Sequence, residues 1–167
     1  MIIYHPKDDL YHCMFRFITV ASLQNLDEFD FTRLRIYDFF FLFPHLAKDI
    51  EFPRAKGAAK VKKIAERMQE PYENLPDKKR IFSEMGDYHI QALQILLAKD
   101  IFKEVDGKLS ISKAFNSLSV SKLLEGSSNK NDGFFHDLIN ILNQVEIAGQ
   151  SGLKKRTGLM EYRYDAV

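Results

Sequence analysis

The chain has 167 residues, 46% of them hydrophobic and 28% charged, with a formal net charge of +1. That length fits one domain or two small ones around a shared core, and the composition is that of an ordinary globular protein. The near-zero charge excludes a global field that would draw the chain to nucleic acid or an anionic membrane, so an electrostatic partner has to meet a local patch.

The single cysteine, Cys13, leaves no internal disulfide and no cysteine-only zinc site, which points to a reducing, cytoplasmic setting. The opening MIIYHPKDD has no basic leader region and two early acids, so a secretory signal is not expected. The longest near-continuous apolar run, Phe39 to Pro44, falls far short of the roughly twenty residues a membrane-spanning helix needs.

Residues Asp8 to Leu23 read as a first helix, with Asp8 or Asp9 as N-cap. Its apolar positions cover most of the cylinder, and His12, Arg16, Thr19 and Ser22 form one polar stripe at helical spacing. Asn25 to Asp30 reads as an acidic connector, after which Asp30 or Thr32 caps a second helix running to about Phe43. Pro44 stops it, because proline lacks an N–H and restricts the residue before it.

From Ile36 to Phe43 the only charged side chain is Asp38, while Phe39, Phe40, Phe41 and Phe43 are packed into one turn and a half. A helix apolar nearly all round is buried on several sides. Two expectations follow. Asp38 pairs with Arg16 on the first helix, or with Arg35 one turn back, because a buried lone carboxylate is costly. The plainer account of the aromatic helix is a central core helix packed on the C-terminal one, and any face left over, drawn from Phe39, Phe40 and Phe41 together with Phe134 and Phe135, is the expected interface for a partner.

Arg54 to Glu70 reads as a third helix closed by Pro71, with Val61, Ile64, Ala65 and Met68 as its buried stripe. Lys56, Lys60, Lys63 and Arg67 fall at i, i+4, i+7 and i+11, forming one basic face. Residues 54 to 80 carry nine Lys/Arg against four Asp/Glu, so this face is the candidate contact for a nucleic-acid backbone, without sequence readout. A solvated amphipathic helix is the plainer account of the same pattern.

DKKRIFSEM then reads as a short helix and GDYHIQALQILLAKD as a second one capped by Asp87. IFKEVDGKLSIS reads as a hairpin turning at Asp106-Gly107, since a two-residue turn needs positive φ at both central positions. Helix, helix, hairpin is the winged-helix order. The helix before the hairpin is expected to expose Asp87, His89, Gln91 and Gln94, and it contains no arginine, which makes it a poor reader of the major groove.

SKAFNSLSVSKLLEG reads as one or two short helices and GSSNKNDG as a linker. Phe134 to Ala148 forms an amphipathic helix, and LMEYRY alternates like a terminal strand. The expected fold is therefore mainly α with a small β-hairpin wing, a winged-helix-like α+β arrangement. Its parts are residues 1–53 as a helical pair, 54–125 as the winged unit, and 126–167 as a C-terminal helix and tail, in one compact domain overall.

The motifs of catalysis are missing from the sequence. No histidine pair has the spacing of a zinc protease, and no phosphate loop or nucleophile elbow is present. HPKDDLYH reads as a helix cap plus one half-exposed histidine, and Cys13 as packing on an apolar helix side. No enzyme activity, metal or cofactor is expected.

Tyr4, His5, Pro6, Asp8, Tyr11, His12, Phe15 and Arg16, followed by Arg33 to Leu46 (RLRIYDFFFLFPHL), resemble the middle component of bacterial ABC-three-component systems. The resemblance is strongest over roughly the first fifty residues and from Ala55 onward rests on the order of helices and hairpin. It implies a non-enzymatic winged-helix adaptor beside an SMC/RecN-like ABC ATPase and a variable effector, in an anti-phage conflict module of the Lamassu kind. Separately, the number of large apolar side chains leads to the expectation of an obligate partner subunit that self-associates into an oligomer when purified alone. The alternative is a freestanding winged-helix DNA-binding regulator.

Overall fold

The computed structural model describes residues 5–24, 26–72, 74–113, 115 and 132–163. The protein is mainly helical with one small antiparallel sheet. It divides into two compact units, each assembled from two separate stretches of chain: residues 1–38 with 85–130, and residues 39–84 with 131–167. The consecutive blocks expected from the sequence run differently, because the second helix crosses from one unit into the other at Asp38–Phe39.

The first unit begins with a 3-10 turn, Pro6–Asp8, and helix α1, Leu10–Gln24. Asp9 caps α1, accepting the His12 N–H at 2.8 Å on its carboxylate. Helix α2, Phe31–Leu42, follows, and its residues up to Asp38 belong to this unit. The segment ahead of α2 is more than an acidic connector. Phe29 is buried and bridges Leu109, its N–H and C=O both bonded to that residue at 2.8 Å.

Helix α5, Gly86–Ala98, packs on α1 and leads into the hairpin of β1, Phe102–Val105, and β2, Lys108–Ile111. The register pairs Phe102 with Ile111 and Val105 with Lys108. Asp106 (φ 51°) and Gly107 (φ 75°) both take the left-handed conformation that a two-residue turn demands. Phe102 lies edge-on to Phe29, with ring centroids 5.6 Å apart, so the sheet's inner face joins the core of Cys13, Phe17, Leu34, Ala92 and Leu96. Met85, not Asp87, is the N-cap of α5, and Asp87 sits in the first turn, where a carboxylate suits the helix dipole.

The second unit takes the end of α2, the 3-10 helix Pro44–Asp49, α3 (Ala58–Glu66), α4 (Lys78–Glu84), α6 (Asp132–Leu142) and α7 (Leu153–Thr157). Its core is aromatic. Phe39 meets Phe40, Phe43 and Phe82 at centroid distances of 5.3, 5.2 and 5.9 Å, while Phe41 lies on Phe135 at 4.7 Å and Phe135 against Phe134 at 5.4 Å. Fully burying each such ring contributes roughly 1.5–3 kcal/mol, which is why the segment forms a core.

Two expected spans shorten for local reasons. Gly57 at φ 89° starts α3 at Ala58, and residues 54–57 form a turn ahead of it. The Arg67 N–H bonds back to Ile64 at 3.1 Å and closes the helix. Helix α6 stops at Leu142 instead of continuing to Ala148. LKKRT is a helix, capped by Gly158 at φ 67°, and residues 159–163 form no strand. Arg156 ties the unit's two stretches, donating to the Glu51 carbonyl at 2.8 Å and accepting the Glu51 N–H at 2.9 Å. The helices expected between Ser112 and Gly126 fall almost wholly outside the described residues.

Candidate functional site

The chemistry-bearing side chains of the first unit converge on Asp38, which has no exposed surface. Arg16 from α1 grips it with a two-pronged contact, Nε to Oδ1 at 2.7 Å and Nη2 to Oδ2 at 3.1 Å. The remaining arm, Nη1, donates to the Pro6 carbonyl at 3.0 Å. His89 from α5 places Nε2 3.0 Å from Asp38 Oδ2, and Arg35 Nε donates to its other nitrogen, Nδ1, at 3.2 Å.

These partners settle the imidazole's protonation. Arg35 occupies Nδ1 as a donor, so Nδ1 is the acceptor and Nε2–H donates to Asp38. His89 is therefore neutral, in keeping with burial, which lowers its pKa below the usual histidine value against the opposing pull of Asp38. Burial pushes the Asp38 carboxyl up, but the His89 hydrogen bond and the Arg16 charge outweigh it and hold the group below the ordinary carboxylate value. The result is a chain of charges, Arg16⁺–Asp38⁻–His89–Arg35⁺, linking α1, α2 and α5. Phe17 covers the imidazole face at a centroid distance of 5.3 Å.

Cys13 stands beside this chain, its Sγ 3.8 Å from the Tyr88 carbonyl. Donor atoms of Cys13, Asp38 and His89 all lie within 4.8 Å of one another, a spacing that invites a test for a metal site. The donors do not fit one. Both carboxylate oxygens are already committed to Arg16 and His89, and a cation there would sit against a guanidinium. The thiol is kept protonated, its pKa pushed up first by burial and then by Asp38, whereas zinc takes thiolate and, in structural sites, four ligands. Nor can so buried a thiol serve as a nucleophile. What the arrangement does is hold three helices in one register.

Arg16 and Thr19 are buried, so the polar stripe expected on α1 faces inward at those positions. His89, expected on the exposed face of α5, is fully buried. That signal was in the spacing: Met85, His89, Ala92 and Leu96 share one face, and all four are buried. Phe39, Phe40, Phe134 and Phe135, expected to meet a partner, are interior, and Phe41 is half-buried. Their excess is taken up within the second unit. Lys56, Lys60, Lys63 and Arg67 are all exposed, and Lys60 Nζ lies 3.1 Å from Asp137.

Residues 2–165 match the family model of the ABC-three component (ABC-3C) system Middle Component 5. The chain belongs to that family. No curated protein and no solved structure matched it. The match extends the resemblance of the N-terminal stretch over residues 2–165, which take in both units. No helix among its described residues is long and apolar enough to cross a membrane.

Proposed function

We propose that this middle component is a non-enzymatic, cytoplasmic adaptor that links an SMC/RecN-like ABC ATPase to a variable effector in a Lamassu-like anti-phage module. The family match over residues 2–165 carries the reading. The internal chemistry supports it, because the cluster of thiol, carboxylate and imidazole is closed to solvent and spent on Arg16, Arg35 and packing. The pairing of α5 with the hairpin fits a docking module better than an operator reader. The exposed side chains of α5 include Asp87, Ile90, Gln91 and Gln94, with Lys99 beyond its end, and phosphates would meet one carboxylate and one distant cation.

The test is co-expression with the ATPase and effector encoded beside it, followed by affinity capture and sedimentation. The expected result is a three-part complex in which tagged ATPase retains the effector only when this chain is present. A chain that dimerises and footprints an operator without its neighbours would replace the adaptor with a freestanding regulator.

A further inference from the structure

We infer that the exposed basic stripe of α3 is a docking surface for the phosphate backbone of duplex DNA. Lys56, Lys60, Lys63 and Arg67 are exposed. Lys60 and Lys63 of α3 and Arg67 at its C-cap are three or four residues apart, so they repeat along one edge at about 5.4 Å per turn, while Lys56 lies in the turn ahead of the helix. Lys60 shares its charge with Asp137, whereas Lys56, Lys63 and Arg67 have no carboxylate partner among the described residues. Nothing in the fold requires this alignment, because the buried face of the same helix is Ala58, Val61 and Ala65.

The composition of the stripe selects its occupant. Protein interfaces are depleted in lysine and depend on aromatic or apolar anchors, and α3 carries none on its exposed face. Single strands are held by aromatic platforms interleaved with cations, and α3 contains no aromatic residue. A row of flexible cations without anchors matches a regular line of phosphates, which positions a protein on a duplex without reading sequence.

The magnitude follows from the count. Three to four phosphates neutralised give a slope of about −3 to −4 in log affinity against log salt, a loss of about 40- to 150-fold between 50 and 200 mM. The assay is fluorescence anisotropy of the full chain with two unrelated 30-base-pair duplexes, a matching single strand, and a salt series. Both duplexes should bind equally and better than the single strand. Lys63→Gln or Arg67→Gln should each flatten the slope by about one unit, while Lys62→Gln, which removes the same charge from another face of α3, should leave it nearly unchanged.

Absence of duplex binding at 50 mM salt would overturn the inference. So would equal effects of Lys62→Gln and Lys63→Gln, or a preference for single strands. The measurement uses the chain alone, so its failure leaves the adaptor reading untouched, and failure of the co-expression test leaves this one standing.

Discussion

Replacing Asp38 by Asn keeps the shape of the buried network and removes its anion. Arg16, 3% exposed, would then sit in the core with its Nη1 contact to Pro6 and no counter-charge, and the new amide N–H₂ would face donors on both sides. Breaking one partner of a buried pair costs about 3–5 kcal/mol. For a chain of this length about 1 kcal/mol shifts Tm by about 2–4 °C, so Asp38→Asn should melt about 6–20 °C below the parent. That is a large share of a total stability of about 5–15 kcal/mol.

The assay is thermal and urea unfolding followed by circular dichroism, with Arg16→Met, Asp38→Leu and the Arg16→Met/Asp38→Leu double variant forming a separate cycle. The double variant should be less damaged than the two singles added together, because it leaves neither charge unpaired. It should still fall short of the parent, since the His89 N–H loses its acceptor at a cost of about 1–3 kcal/mol. An Asp38→Asn protein melting within about a degree of the parent would refute the view that this pair is buried and energetically coupled.

Acid should destabilise the protein from about neutrality downward. Burial lowers the His89 pKa in the folded state, and His45 is lowered by burial and then by Lys48. The unfolded chain therefore takes up protons first as pH falls through 6.5, and stability drops by up to about 1.4 kcal/mol per pH unit for each histidine. Asp38, also lowered, adds a second loss only at pH values below the usual carboxylate range. Urea midpoints between pH 8 and about pH 2 measure both, and His89→Gln should flatten the limb just below 6.5; an unchanged limb would contradict the neutral assignment. Cys13 should resist a thiol reagent in the folded protein and react at the rate of unfolding, whereas immediate stoichiometric labelling would place it at the surface.

Features whose cause is local were readable from the sequence. Asp106-Gly107 specifies the hairpin turn by itself, Asp9 caps α1 by itself, and Pro44 ends α2 by itself. The network was readable only in part. Arg16 and Asp38 are each a lone charge on an apolar helix, which makes them natural partners, but Arg16 on a helical wheel also looks like a solvent-facing residue until an anion on another helix meets it. His89 shares a face with Ala92 and Leu96, yet imidazole polarity favours the surface unless Asp38 and Arg35 are known to be there. The phenylalanines fail for a related reason. Counting apolar faces on α2 and α6 overlooks Phe82, supplied by α4, so aromatic surface that looked surplus is consumed inside.

Because α2 continues from one compact unit into the other and each unit is closed by a late stretch of chain, synthesis imposes an order on maturation. The first unit cannot seal until α5 and the hairpin have left the ribosome, since Asp30 waits for Lys108 and Phe29 for Leu109. The second waits still longer, for Arg156 to reach Glu51. Contacts spanning such distances slow folding, and until they form the phenylalanines of α2 have few apolar partners. A nascent chain is thus most prone to aggregation during the interval in which its phenylalanine segment is made and Phe82 and Phe135, which pack on it, are not. A subunit with that history gains from being synthesised next to the proteins it assembles with.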